Sequence, residues 1–245
     1  LGRLADVSQV LRGDGQEIIN LRLTNSGHWR EPAKLEQIDP QLIKMLIAYE
    51  DKRFWQHYGV DPLAVMRAAI SLAKSGKIKS GASTLTMQTV KLMHPELRKR
   101  SFKNKLSQMA EAIRLEAHWS KEEILEAYFT LAPYGGNIEG IEAATEAWFQ
   151  KSPSQLTFTE AALLVALPQS PERRRPDLFP DAAFEAKSKV LEIIKDRIGL
   201  DPKKVEELKK EPLPVRLSKI KSISPHLADR LHTKAQTSFK TTINP

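Results

Sequence analysis

Cysteine is absent from all 245 residues, which excludes disulfides, thiolate metal sites and a cysteine nucleophile, and leaves the compartment open. Long apolar runs are absent too. The longest, Ala161 to Leu167, is far short of the roughly 20 residues that cross a bilayer as a helix. The first residues, Leu-Gly-Arg-Leu-Ala-Asp, carry no apolar core behind the charge, so a signal peptide is not expected and any membrane anchor should lie in a segment outside this sequence. Histidine is sparse, and its six copies are scattered without ligand spacing, so no metal-binding set is expected. Repeats and low-complexity tracts are missing as well. What remains, 41% hydrophobic and 28% charged residues, excludes a fibrous or disordered chain; the length suits one large domain, or one domain with a small companion.

Acidic residues nearly vanish from one stretch. Between Lys74 and Lys105 nine Lys or Arg face Glu96 alone, a formal +8 that equals the excess of the whole chain. Such a segment is either a solvated basic face or a binder of phosphates or anionic lipid headgroups, with nucleic acid as a third ligand class.

The densest mixture of functional groups runs from Ala48 to Gly59, directly after the apolar residues Leu42, Ile43, Met45, Leu46 and Ile47. Carboxylates, cations, aromatics and a histidine crowd together there, a composition that suits a cleft better than a core. A carboxyl beside apolar surface holds its proton more readily than one in water, which suits base chemistry near neutral pH, and Glu50 is the candidate. The alternative is a solvated acid at a helix end.

Residues 5–24 read as a hairpin, Val7 to Leu11 and Ile18 to Leu23 about a turn at Arg12-Gly-Asp-Gly15, and this is the only strand pair expected. A connector from Pro32 to Pro40 precedes the helix that ends at Glu50. Asp61-Pro62 starts a helix that stops at Gly76, and Lys74 to Ser80 reads as a mobile loop. Gly81-Ala-Ser-Thr-Leu-Thr-Met-Gln88 opens another helix, with Ser83 as its N-cap. Ser101 caps a long helix that carries Phe102, Leu106, Met109, Ala110, Ile113 and Ala117 on one face, an amphipathic period. Ser120-x-x-Glu123 and Thr157-x-x-Glu160 are capping boxes, and the second helix stops at Pro168. Asp181 to Gly199 and Pro202 to Glu211 read as helix. The expected fold is therefore mainly α with a small N-terminal β-hairpin.

The pattern Glu50-Asp51-x-x-Phe54-x-x-His57-x-Gly59, followed by Gly81 to Gln88, closely resembles glycosyltransferase family 51, the peptidoglycan polymerases of class A penicillin-binding proteins. The likeness continues through Lys121 to Tyr128, Gly135 to Ala144 and Glu160 to Pro171. It implies a lysozyme-like helical glycosyltransferase domain at residues 36–200, behind a hairpin and connector at 1–35. A helical tail and linker at 201–245 would lead towards a transpeptidase domain missing from this chain. The implied reaction joins the 4-hydroxyl of an N-acetylglucosamine to the anomeric carbon of a chain held as a lipid diphosphate, giving a β-1,4 link with inversion and releasing undecaprenyl diphosphate. By the resemblance Glu50 is the base, and Asp51, Phe54 and His57 shape its pocket. Ser83, Thr84, Gln88 and Lys91 line the cleft, Lys105 approaches the phosphates, and Gln108 stands in the substrate site. For His57 a hydrogen-bonded packing role stands beside a catalytic one. No cofactor is required, with Mg²⁺ or another divalent cation at the diphosphate as the one option. The implied partners are the lipid-linked disaccharide-peptide, the growing glycan and an anionic membrane surface, not nucleic acid. The implied location is the extracytoplasmic face of a bacterial inner membrane.

Four positions depart from the family's pattern: Met87 for a Gln, Asn104 for the Arg before Lys105, Gln108 for a Glu and Thr130 for an Asn. Lys-Leu-x-Gln at 105–108 and Ala-Pro-Tyr-Gly-Gly at 132–136 are similar to the C-type members. Gln108 removes the family's second acid from that position. A glycosidase usually needs a general acid beside its base or nucleophile, whereas a diphosphate departs without one, so a lone Glu50 favours transfer over lysozyme-like or lytic cleavage. A non-catalytic basic helical module that binds membrane or nucleic acid is the other alternative.

Overall fold

Polar side chains start most of the helices, because the first N–H groups of a helix have no partner within it. In the computed structural model, which describes residues 2–13, 18–75, 83–99, 101–213 and 239–240, a short α1 (Gly2–Ala5) comes first. Asp39 accepts from Gln41 N at 2.8 Å and opens α2 (Pro40–Glu50). Asp61 accepts from Ala64 N at 3.1 Å and opens α3 (Pro62–Ser75). Then follow α4 (Leu85–Met93), α5 (Phe102–Glu116) with Ser101 as its cap, and α6 (Lys121–Leu131) with the Ser120/Glu123 capping box. After α7 (Ile141–Phe149), the Thr157/Glu160 box opens α8 (Phe158–Ala166). The last two are α9 (Pro180–Ile198), closed by the left-handed Gly199, and α10 (Pro202–Lys210).

The Ala161 to Leu167 run is wholly buried in α8 and the 3-10 turn that follows it, where α8 packs against α2 and α9. Burying each Leu or Val of this run is worth about 1.5–3 kcal/mol, so α8 is the axis of the core. The turn at Leu167–Gln169 exists because Pro168 cannot continue the helix.

The hairpin forms as expected from β1 (Gln9–Arg12) and β2 (Ile18–Arg22), antiparallel with Val10 opposite Leu21. Residues 14–17, which include part of the expected turn, lie outside the described residues, as do 76–80 of the expected loop, whose first two residues, Lys74 and Ser75, end α3. Two strand features were not expected. Phe239–Lys240 pairs in parallel with β1, and a second sheet joins Trp29–Arg30 (β3) to Ile138–Glu139 (β5) and Pro133–Gly135 (β4). Strands of two or three residues are too short to show a period of two. The second sheet is pinned by the buried Arg30, which donates to the Glu139 carboxylate and to the carbonyls of Arg3 and Asp6 at 2.7 and 2.6 Å. Arg3 in turn donates to Glu139 and to the Leu92 carbonyl on α4.

The apolar face of α5 is the main reversal. Phe102 (80% exposed), Leu106 and Ile113 face outward, while the buried residues of this helix are Gln108 and Ala112. Similarly, Leu63, Met66 and Ile70 of α3 are about half exposed and Ala64 and Ala68 are buried. Periodicity identified the helices correctly but not which stripe meets the core.

Candidate active site

The site begins where α2 ends. Asp51 leaves helical geometry and turns its buried carboxylate towards α4, accepting from Leu85 N at 2.9 Å and from His57 Nε2 at 2.9 Å. The last helical residue, Glu50, is thereby set at the cleft. Thr84, not Ser83, is the N-cap of α4: its hydroxyl accepts from Met87 N at 3.1 Å and donates to the Gly59 carbonyl at 2.6 Å. Ser83 Oγ, one residue earlier, is buried without a hydrogen-bond partner among the described residues. Gly59 has φ +75°, and a Cβ there would come within 2.5 Å of the Ala112 backbone, so this loop can press on α5 only as glycine.

One turn beyond Thr84, Gln88 reaches across and donates Nε2–H to Glu50 Oε2 at 2.9 Å. From the turn after α8, Gln169 donates Nε2–H to the other oxygen, Oε1, at 2.8 Å. The orientation of this second amide follows from its oxygen, which accepts from Arg174 at 3.2 Å and from the Tyr49 hydroxyl at 3.4 Å. Each carboxylate oxygen thus keeps a lone pair for a further proton donor.

Behind this pair lies a buried ionic framework. His57 stands between Asp51 and Glu116, its Nδ1 3.9 Å from Glu116 Oε1. Glu116 accepts from the Thr86 hydroxyl and from Lys121 Nζ at 2.7 Å; Lys121 also donates to the His57 carbonyl at 2.7 Å and lies 4.5 Å over the Phe54 ring. Phe54 and His57 are therefore wedged behind the cleft, not in its wall.

Three cavities share walls along the cleft. The largest, about 520 Å³, holds Glu50, Asp51, Ser83, Thr84, Gln88 and Gln169. A second of about 270 Å³ contains Gln88, Lys91, Arg98 and Tyr128, and a third of about 350 Å³ contains Ser83, Lys91, Arg98, Lys105 and Gln108. Lys52, Arg67, Lys189 and Arg197 also line the largest cavity around Glu50, whereas Lys91, Arg98, Lys99 and Lys105 line the two smaller ones with no carboxylate among the described residues. Lys105 makes no ion pair among the described residues, and burial, reinforced by the charge of Lys91, pushes its pKa down. A cation held in that state favours an incoming anion.

The transglycosylase family model matches residues 14–195. The chain belongs to the transglycosylase family. Penicillin-binding protein 1C of Escherichia coli K12 is 44% identical over 187 residues, covering 76% of this chain and 24% of that one. Penicillin-binding protein 1A of Aquifex aeolicus VF5 is 34% identical over 182 residues, 74% and 25% of the two chains. Among solved structures, Penicillin-Binding Protein 1A from Haemophilus influenzae aligns over 94% of this chain and 24% of its own, with TM-score 0.48 and 18% identity. The chain spans about a quarter of the length of these curated relatives.

In this member of the family, Glu50, Asp51, Ser83, Thr84 and Gln88 meet at the large cavity, and Lys91, Lys105 and Gln108 at the cationic one. Gln108 is turned to one side, its Nε2 donating to the Leu97 carbonyl at 2.7 Å. Thr130 fills its departure from the pattern with a structural bond, accepting from Ala33 N at 3.0 Å. Gln169, Arg98, Glu116 and Lys121 were not singled out from sequence. Gln169 had two signals: it lies in the stretch of family likeness from Glu160 to Pro171, and it follows the helix-stopping Pro168.

Proposed function

We propose that this transglycosylase is a peptidoglycan glycosyltransferase that polymerises a lipid-linked disaccharide into β-1,4 glycan with inversion. Glu50 takes the proton of the acceptor 4-hydroxyl as that oxygen bonds to the anomeric carbon, and the carbon–oxygen bond to phosphate breaks with its electron pair leaving on the diphosphate. Lys91 and Lys105 neutralise that leaving group. The observation that carries the reading is one carboxylate, Glu50, held only by two neutral amides and sharing a cleft with a cluster of cations. Asp51 is occupied by His57 and Leu85, and Asp61 by Arg53 at 2.5 Å and by Ala64, so the large cavity lacks a second free acid for glycosidase chemistry. The test is incubation with labelled lipid-linked disaccharide. Glycan chains support the reading, while reducing-end or anhydro-sugar products from preformed glycan would favour lytic cleavage.

Gln169 is a positioning residue in this scheme. Gln169→Met, nearly equal in volume, is expected to lower kcat about tenfold or more with KM nearly unchanged, a loss of roughly 1.4 kcal/mol confined to the transition state. Arg174→Met should do the same more weakly, since Arg174 acts through the amide. Wild-type kcat in Gln169→Met would remove the residue from the mechanism.

The substrate is a lipid, and the outward apolar residues of α5, Phe102, Leu106 and Ile113, with the exposed Lys103 on the same helix, suit the interface of an anionic membrane, as do the half-exposed Leu63, Met66 and Ile70 of α3. No described helix is long and apolar enough to cross one. Replacing Phe102 and Leu106 together by Ser is expected to weaken binding to anionic vesicles about tenfold or more, from the apolar area lost, with turnover in detergent retained. Equal vesicle binding would exclude this face. The domain division we propose places the hairpin and connector at 1–35, the transferase domain at 36–200 and, at 201–245, a helical tail and linker towards a transpeptidase domain.

A further inference from the structure

A divalent cation at the diphosphate is the one cofactor the family resemblance allows, and the donor set of the cationic cavity decides whether it fits. Ser83, Lys91, Arg98, Lys99, Lys105 and Gln108 form most of that wall, and among the described residues no carboxylate lines it. Ser101, also in the wall, already accepts from Asn104 N at 3.0 Å. Mg²⁺ at a phosphate site is normally held by one or two carboxylates as well as by the phosphates, and here a dication would face four cationic side chains. The wall does not fit a divalent metal.

It does fit a diphosphate, and the turn that carries Arg98 explains how. Arg98 donates Nε–H to the Lys91 carbonyl at 3.2 Å near the end of α4 and lines both smaller cavities. Glu139 and Arg3 act on its guanidinium only at longer range, and no ion pair within 4 Å holds it among the described residues, so its terminal N–H groups are open to an anion. The backbone is fixed on both sides of it: Gln108 donates to the Leu97 carbonyl at 2.7 Å, and Asn104 Nδ2 donates to the Lys99 carbonyl at 3.0 Å. Asn104 and Gln108 are one turn apart on α5 and are two of the positions where this sequence departs from the family's pattern. An Arg at 104 and a Glu at 108 would have brought a cation and a metal-binding acid to the same place. Amides instead pin a turn that delivers a cation from the other side.

We propose that Arg98, on a turn pinned by Asn104 and Gln108, joins Lys91 and Lys105 in neutralising the leaving diphosphate, so that this chain turns over without a divalent cation. The proposal rests on the transferase reading above. Two measurements test it: polymerisation of lipid-linked disaccharide in detergent with chelator or with Mg²⁺, and binding of inorganic pyrophosphate in chelator. Wild-type turnover should differ less than about twofold between chelator and Mg²⁺. Arg98→Gln should lower kcat about 10²-fold and weaken pyrophosphate binding about tenfold, with an unchanged Tm and partial recovery in Arg98→Lys. Gln108→Leu should weaken pyrophosphate binding in wild type but add nothing in Arg98→Gln, because it acts through Arg98. Loss of wild-type turnover on chelation with recovery in Mg²⁺, or unaltered pyrophosphate binding in Arg98→Gln, would overturn it. Arg98-dependent pyrophosphate binding in a chain that forms no glycan under either condition would retain the anion site and sink the transferase reading instead.

Discussion

Glu50→Gln is expected to reduce polymerisation by about 10²–10⁴-fold, the range removed with a general base, while Tm moves by no more than about 2 °C. The activity loss follows from the loss of a proton acceptor where the acceptor hydroxyl would lie. The small stability effect follows from volume and surroundings. Gln is nearly isosteric, and Glu50 is only half-buried, contacted by two amides that can rotate. After the substitution one amide N–H of residue 50 would meet the N–H of Gln88 or Gln169. Rotation of either neighbour, or water in the cleft, relieves that clash at the cost of about one modest hydrogen bond. Initial rates with labelled lipid-linked disaccharide, paired with a melting curve, check both parts. Turnover near wild type would reassign the base, and a large fall in Tm would make Glu50 a structural acid.

What could be read from the sequence divides along physical lines. Capping is local, so Ser120 with Glu123, Thr157 with Glu160, Asp61 before Pro62 and Gly199 all marked real helix ends. At α4 the same reasoning slipped by one residue, because Ser83 and Thr84 are equally good caps and only the contact with the Gly59 carbonyl chooses between them. Burial is not local. The apolar stripe of α5 was visible, but a stripe that faces outward and one that meets a core show the same period. In the site, Glu50 and the cations were legible through a motif and a charge count. Gln169 lies 119 residues from Glu50, and Glu116 lies 30 from Thr86, so both partnerships needed the fold to bring them together.

The framework behind Glu50 yields the largest stability effect. Lys121 is the sole cation in hydrogen-bond contact with the Glu116 carboxylate among the described residues, and the two side chains are 17% and 3% exposed. Lys121→Met keeps the apolar contact with Phe54 but leaves Glu116 charged, buried and supported by only the Thr86 hydroxyl and the more distant His57. Breaking a buried pair in this way costs about 3–5 kcal/mol, and at about 2–4 °C per kcal/mol for a chain of this size Tm should fall by roughly 6–20 °C. Activity below the melting range should fall too. Lys121 also holds the His57 carbonyl, and His57 holds the Asp51 carboxylate that sets the end of α2 against α4. Lys121→Met combined with Glu116→Gln separates charge from geometry. If the uncompensated carboxylate causes the instability, the double variant should regain most of the Tm, since replacing both members of a buried pair is often close to neutral. Its turnover should stay low, because the His57 carbonyl is still released. Equal recovery of Tm and turnover would show that Lys121 serves only to neutralise Glu116, and a single variant that melts like wild type would show that water reaches the carboxylate more freely than its burial implies.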